Sequence, residues 1–129
     1  GVTLHYIQPG VDDGDIVEIK TVPVTDDSTG LDLYKESERL CYELVRDNID
    51  SLLQGTNNRI PQQQFIDRGH ACNSYKRNDT VEKKDLTLVD INNPVWLRVV
   101  RAFDSPYHEP AYIKVGDKKI YVRYRYGTE

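Results

Sequence analysis

Three carboxylates, Asp12, Asp13 and Asp15, bracket Gly14 in the run Asp12-Asp13-Gly14-Asp15-Ile16, and His5 lies a short way upstream. Like charges on so short a loop repel one another, and fold stability alone gives no reason to gather them. A carboxylate beside a histidine can orient the imidazole and a water that carries a proton, which is general acid–base chemistry. The competing account of Asp12 is a turn residue whose side chain bonds its own backbone. For His5 it is a structural side chain in a strand. Gly14 suits a positive-φ turn or a close approach of backbone. Calcium is a third account of the acidic run, but the twelve-residue ligand pattern fails after Asp15, with no closing glutamate in place. His70 and Cys72 are two apart and Cys41 is distant, so zinc spacing is absent too. No metal-ligand set is read here.

The elements that must position these groups follow from periodicity. Val2, Leu4 and Tyr6 alternate with Thr3, His5 and Ile7, which predicts a strand until Gln8-Pro9-Gly10 breaks it. Ile16 to Ile19 resumes a strand. Thr29 and Asp32 have capping-box spacing. From Gly30 to Leu53 the residues Leu33, Leu40, Cys41, Leu44, Val45, Ile49, Leu52 and Leu53 form one apolar stripe, which predicts a long amphipathic helix with Cys41 in the core. Gly55 is its left-handed C-terminal cap.

Ile60 to Gln64 reads as extended, and His70 to Lys84 as a surface loop with a short strand around Ser74-Tyr75-Lys76. Leu86 to Val89 reads as a strand or an ordered arm. Asn93 caps a second helix with Pro94 at its first position, and its apolar face is Trp96, Val99, Val100 and Phe103. Ala111 to Val115 and Lys119 to Arg125 are expected to pair through Gly116-Asp117. Beyond that turn, Tyr121, Arg123 and Arg125 alternate with Val122, Tyr124 and Tyr126. Interleaved Arg and Tyr can stack nucleobases; the plainer account is an edge strand protected by charge.

The chain has 129 residues, 38% hydrophobic and 29% charged, which suits one soluble domain with a single core. No apolar run approaches the roughly 20 residues of a membrane span. Two cysteines make no disulfide framework, so reduced thiols in the cytoplasm are expected. A net charge of −4 counts against nucleic acid as a partner, because phosphate binding draws on Lys and Arg.

The strand Gly1-Val2-Thr3-Leu4-His5 and the loop Asp12-Asp13-Gly14-Asp15-Ile16 together resemble the folate-dependent formyltransferases. That family includes methionyl-tRNA, glycinamide ribonucleotide and sugar-nucleotide N-formyltransferases. The resemblance continues more weakly through the long helix, a glutamine after it, and the tail VVRAFDSPYHEPAYIKVGDKKIYV, which looks most like the sugar-nucleotide branch. It implies that Asp12 is the catalytic aspartate, that His5 assists it, and that Asp13, Gly14 and Asp15 wrap the pterin end of 10-formyltetrahydrofolate. The amine acceptor would be a nucleotide-linked amino sugar. The family's Asn-x-His pair and Ser-x-Leu-Pro loop lie upstream of this strand and do not occur in the sequence. The expectation is therefore the back portion of an N-formyltransferase, inactive alone. The implied fold class is α+β: the C-terminal portion of a Rossmann-like domain over residues 1–55, then a linker and small α+β extension over 56–129. A homodimer is expected, since a strand without its parental neighbour seeks a partner. The alternatives are a free-standing remnant that self-associates as a binding or assembly module, and a methionyl-tRNA formyltransferase-like protein.

Overall fold

The computed structural model describes residues 1–69 and 76–125. His70, Cys72 and most of the strand expected around Ser74-Tyr75-Lys76 lie outside them. The described chain mixes α and β: three α-helices, two short 3-10 turns and two antiparallel two-stranded sheets. Its contacts divide into two compact units, one of Gly1–Pro23 with Lys35–Asn73, the other of Val24–Tyr34 with Ser74–Glu129. The single core expected from length is therefore not what forms. Ile16, Val17, Leu40 and Leu44 are buried in the first unit, and Leu86, Val100, Ala111 and Tyr112 in the second. A sheet of two strands offers too narrow a face to collect more apolar area than its own unit supplies.

In the first unit, β1 (Val2–His5) pairs with β2 (Ile16–Lys20) from Val2 opposite Lys20 to His5 opposite Ile16, with a bulge after Leu4. The expected strand to Ile7 thus ends two residues early. A further two-residue bridge joins Ile16 to Ile60 on the other side of β2. Helix α1 (Gly30–Gln54) starts and stops where its local sequence dictates. The Thr29 amide donates to the Asp32 carboxylate at 3.0 Å and the Asp32 amide to the Thr29 hydroxyl at 3.2 Å, a reciprocal cap. At the other end Gly55 has φ of +68°, with Gly55 N donating to Leu52 O and Thr56 N to Ser51 O. Those two bonds are the Schellman closure.

The stripe on α1 is only half buried. Leu40 and Leu44, one turn apart, are covered, but Cys41, Val45, Ile49 and Leu53 are exposed. Cys41 is therefore a surface thiol and not the core residue expected. Beside the buried row, the helix meets β2 through charge: Lys20 reaches Asp47 at 2.5 Å and Glu43 at 3.9 Å, and Asn48 donates to Glu18. Residues expected to be extended after Ile60 instead turn into a short helix, α2 (Gln63–Asp67).

The second unit is built on α3 (Pro94–Ala102) and a hairpin of β3 (Tyr112–Val115) and β4 (Lys118–Tyr121). Asn93 Oδ1 accepts from Val95 N at 3.0 Å with Pro94 at the first turn, as its sequence requires. Trp96, Val99 and Phe103 pack around Val100, Leu86 and Ala111. Gly116, at φ of +59°, opens the two-residue turn. The ladder stops at Tyr121, short of the expected Arg125. Val122 N still donates to Ala111 O, and no further ladder bond follows among the described residues. Arg123 then turns to Asp104 at 3.1 Å and the Ser105 carbonyl at 3.0 Å. The Tyr/Arg face expected from alternation is therefore not a continuous strand surface.

Leu86 to Val89 is the ordered arm and not a strand. Leu86 N donates to Tyr112 O, and Thr87 Oγ1 accepts from Lys114 N at 2.9 Å while donating to Asp85. Asp85 also meets Lys114 Nζ at 2.5 Å. The Lys114 ammonium, then the Thr87 hydroxyl and amide, hold the Asp85 carboxyl at about 2, against an ordinary 3.8. A carboxyl depressed by folding contributes stability above its unfolded value and loses it as pH falls through the folded one. Asp85→Asn should therefore lower the thermal midpoint near pH 6, with the gap to the parent protein shrinking as pH falls toward about 2. A gap that stays constant across that range would assign the effect to shape and not to charge.

Candidate functional site

The loop between β1 and β2 is fixed from three sides. Tyr6 N donates to Asp15 O at 2.9 Å, closing the loop where the strands end. Gly14 lies so close to Tyr6 that a Cβ would fall 1.7 Å from the Tyr6 carbonyl oxygen, so only glycine fits. Gln62, expected on an extended segment, donates its carboxamide to Asp12 O at 2.6 Å and Gly14 O at 2.8 Å. That bridge spans the carbonyls on either side of Asp13 and pins the turn.

The pinned turn holds Asp12 at φ of +52°, the single non-glycine residue at positive φ among those described. Such a conformation costs an L-residue about 1–2 kcal/mol, less for Asp, whose short side chain tolerates it. It aims the Asp12 carboxylate back over the end of β1. There Asp12 Oδ1 lies 3.8 Å from His5 Nε2. His5 Nδ1 sits 2.9 Å from the Tyr6 carbonyl, which can only accept, so the ring proton resides on Nδ1. Nε2 is left as the basic nitrogen facing the carboxylate. Thr3, His5, Asp12, Ile16 and Gln62 line a cavity of about 330 Å³ around this pair. The Asp12 side chain is 86% exposed and that of His5 26%, so solvent reaches the carboxylate freely.

The structure thus brings together two of the five residues singled out from sequence, Asp12 and His5. Gly14 acts through its backbone. Asp13 does not line the cavity; its carboxylate lies against Gly10. Asp15 faces away to Arg59 at 3.3 Å, and Arg59 lies 4.1 Å over the Tyr6 ring while Tyr6 OH donates to Asn57. Asn57, Arg59 and Gln62 were not identified by number from spacing. The glutamine following the long helix was part of the resemblance, but nothing local says which of Gln62, Gln63 and Gln64 turns inward. Among the described residues no three His, Cys, Asp or Glu side chains gather to hold a metal ion. Chemically, the arrangement can hold a water between a carboxylate and an imidazole and pass a proton along it.

No family model and no curated protein matches the sequence. The fold does match solved structures. One is a sugar N-formyltransferase from a Shewanella species, with a TM-score of 0.79 and 22% identity over 98% of this chain and 50% of that one. Another is a 4-N formyltransferase from Francisella tularensis, with a TM-score of 0.80 and 22% identity over 98% and 51%. The chain spans about half the length of these structures. At such identity the likeness establishes the fold.

Because Gln62 serves two carbonyls at once, Gln62→Ala should cost about 1–2 kcal/mol in urea unfolding. Amide exchange in residues 10–15 should quicken more than in α1. Unchanged stability and exchange would mean that water serves those carbonyls equally well.

Proposed function

We propose that this chain is the C-terminal part of a folate-dependent N-formyltransferase of the sugar-nucleotide type. The observation that carries this reading is the facing of Asp12 and His5 across one cavity, on a loop pinned by Gln62, in a fold shared with two solved formyltransferases. In that reading residues 1–55 complete a Rossmann-like catalytic domain and 56–129 form a linker and small extension. Cytoplasmic location and a nucleotide-linked amino sugar as amine acceptor belong to the same proposal.

The formyl donor would be 10-formyltetrahydrofolate. The cavity, near the lower end of the usual ligand-pocket range, suits one end of such a molecule and not its whole length. Gly14, packed against the Tyr6 carbonyl, would contribute by letting the loop close tightly beneath the site. When bound, the donor supplies an activated one-carbon acyl group. Transfer needs the acceptor amine unprotonated and needs its nitrogen to shed a proton once the new C–N bond forms. Asp12 and His5 provide for that: the carboxylate orients the water, and His5 Nε2 is the basic site that completes the relay. Donors to stabilise the developing oxyanion would come from residues outside this sequence.

In an enzyme that carries this segment with an upstream half, Asp12→Asn should abolish turnover and leave folate binding within about tenfold. Asp12→Gly should abolish turnover too, yet keep unfolding stability within about 1 kcal/mol, because glycine adopts the same φ without strain. Full activity in either variant would move Asp12 to a structural role.

One observation also favours the remnant reading, a self-associating module. The exposed row Cys41, Val45, Ile49 and Leu53 on α1 and the outer edge of β1 both lack cover among the described residues. An exposed apolar row and an unpaired strand edge are each surface that association would bury. Both readings include a homodimer. Light scattering at micromolar concentration should give twice the 14.9 kDa chain mass. A concentration-independent monomer would show that the segment tolerates this exposure.

A further inference from the structure

A second cavity, of about 330 Å³, lies wholly within the second unit, and Arg98 and Arg101 of α3 form one of its walls. Thr25, Asp26, Ser28 and Thr29 line it as well. Neither arginine has a hydrogen-bond or ion-pair partner among the described residues, and the Arg101 Nε is buried without one. The Arg101 guanidinium lies 6.0 Å from the Tyr124 ring centroid, at the outer limit of a cation–π contact. Elsewhere Arg39, Arg46, Arg59 and Arg123 each meet a carboxylate, while exposed Arg68 and Arg125 meet none among the described residues.

What sets Arg98 and Arg101 apart is that the two line one cavity together, in a chain with 21 acidic and 17 basic side chains. The acids around the cavity pair with neither arginine. Asp104 holds Arg123, Asp32 holds Thr29, and Asp26 is ion-paired with neither arginine. Nor are the first amides of α1 waiting for a ligand: Leu31 N donates to Asp104 O and Asp32 N to Thr29 Oγ1. What stands free is donor capacity on two guanidiniums. The hydroxyls of Thr25 and Ser28, 2.9 Å apart, add to it, since one proton serves their mutual bond and the other can turn outward.

We propose that this cavity binds a phosphate-type oxyanion, gripped by Arg98 and Arg101 and supported by the Thr25–Ser28 hydroxyl pair. Guanidinium is the planar fork that matches such oxygens in pairs. Three residues apart on a helix, the two heads can share one phosphate or take one each of two joined phosphates. The site is separate from the Asp12–His5 pair and goes beyond the transfer reaction proposed above.

Calorimetric titration of the full chain at low salt with inorganic phosphate, pyrophosphate and UDP tests this. Saturable one-site binding that weakens with added salt is expected for at least one of them. Arg98→Gln and Arg101→Gln should each weaken it about tenfold or more. Arg98 is exposed, so Arg98→Gln should leave the thermal midpoint unchanged and carries the test even if Arg101→Gln fails to fold. UDP binding tighter than pyrophosphate would point to a nucleotide as the source, and equal binding to free diphosphate. Phosphate matching pyrophosphate would mean a single phosphate. No saturable binding of any of the three, or binding unaltered in Arg98→Gln, overturns the proposal.

Discussion

One side-chain amide holds the loop on which the candidate site is built. Gln62 donates to the carbonyls of Asp12 and Gly14, and through them sets the path of the loop that carries the carboxylate. Without that bridge, three acidic side chains on one short loop would drive it open by mutual repulsion, and left-handed Asp12 would relax to a commoner conformation. The neighbouring contacts share the task. Arg59 offsets the Asp15 charge and covers Tyr6, whose backbone in turn closes the loop and fixes the His5 tautomer. The segment 57–62 therefore acts as a brace for residues 5–15, although about fifty residues of chain separate them.

The rest of the molecule supports that brace by ordinary means. Ile60 reaches β2 through the paired bonds with Ile16, which places Gln62 two residues later over the loop. The Schellman closure at Gly55 ends α1 sharply enough for the chain to turn back toward β2. Lys20 with Asp47 and Glu18 with Asn48 join the helix to the same strand by polar contacts beside its narrow buried row. These pairs are solvent-exposed or partly so, and such pairs contribute little individually. Their value is registry: they fix which turn of α1 faces β2.

What was legible in the sequence was what is decided locally. Thr29–Asp32, Gly55 and Asn93-Pro94 fixed helix ends because each cap is made by residues within one turn of the end it closes. Asp12 and His5 were legible as residue types in a pattern, and their approach to 3.8 Å follows from a hairpin whose strands are adjacent in sequence. The misjudgements are all nonlocal. Periodicity on α1 said that Cys41 could be buried, but the width of the opposing sheet decided that it was not. Past the end of β4, Arg123 turns to Asp104, nineteen residues back in the chain. Helix α2 replaced an extended segment because the chain turns once Ile60 has paired with Ile16, a partner more than forty residues away. Gln62 was hidden among three consecutive glutamines for the same reason.

The exposure of Asp12 bears on how the site would work. Once His5 takes up a proton, two unit charges about 4 Å apart attract by about 1 kcal/mol in bulk water and about 4 kcal/mol at an effective dielectric of 20. At 86% exposure the Asp12 side chain sits near the first limit, so His5 and Asp12 are positioned but weakly coupled. A ligand seated in the cavity would displace water from both groups and move the pair toward the second limit. Substrate binding would then switch on the proton relay without any movement of the loop, whose geometry Gln62 already holds. Under the proposed function the strain at Asp12 would have the same logic: it is borne in the free protein, so the carboxylate would not have to be driven into place at the moment of reaction.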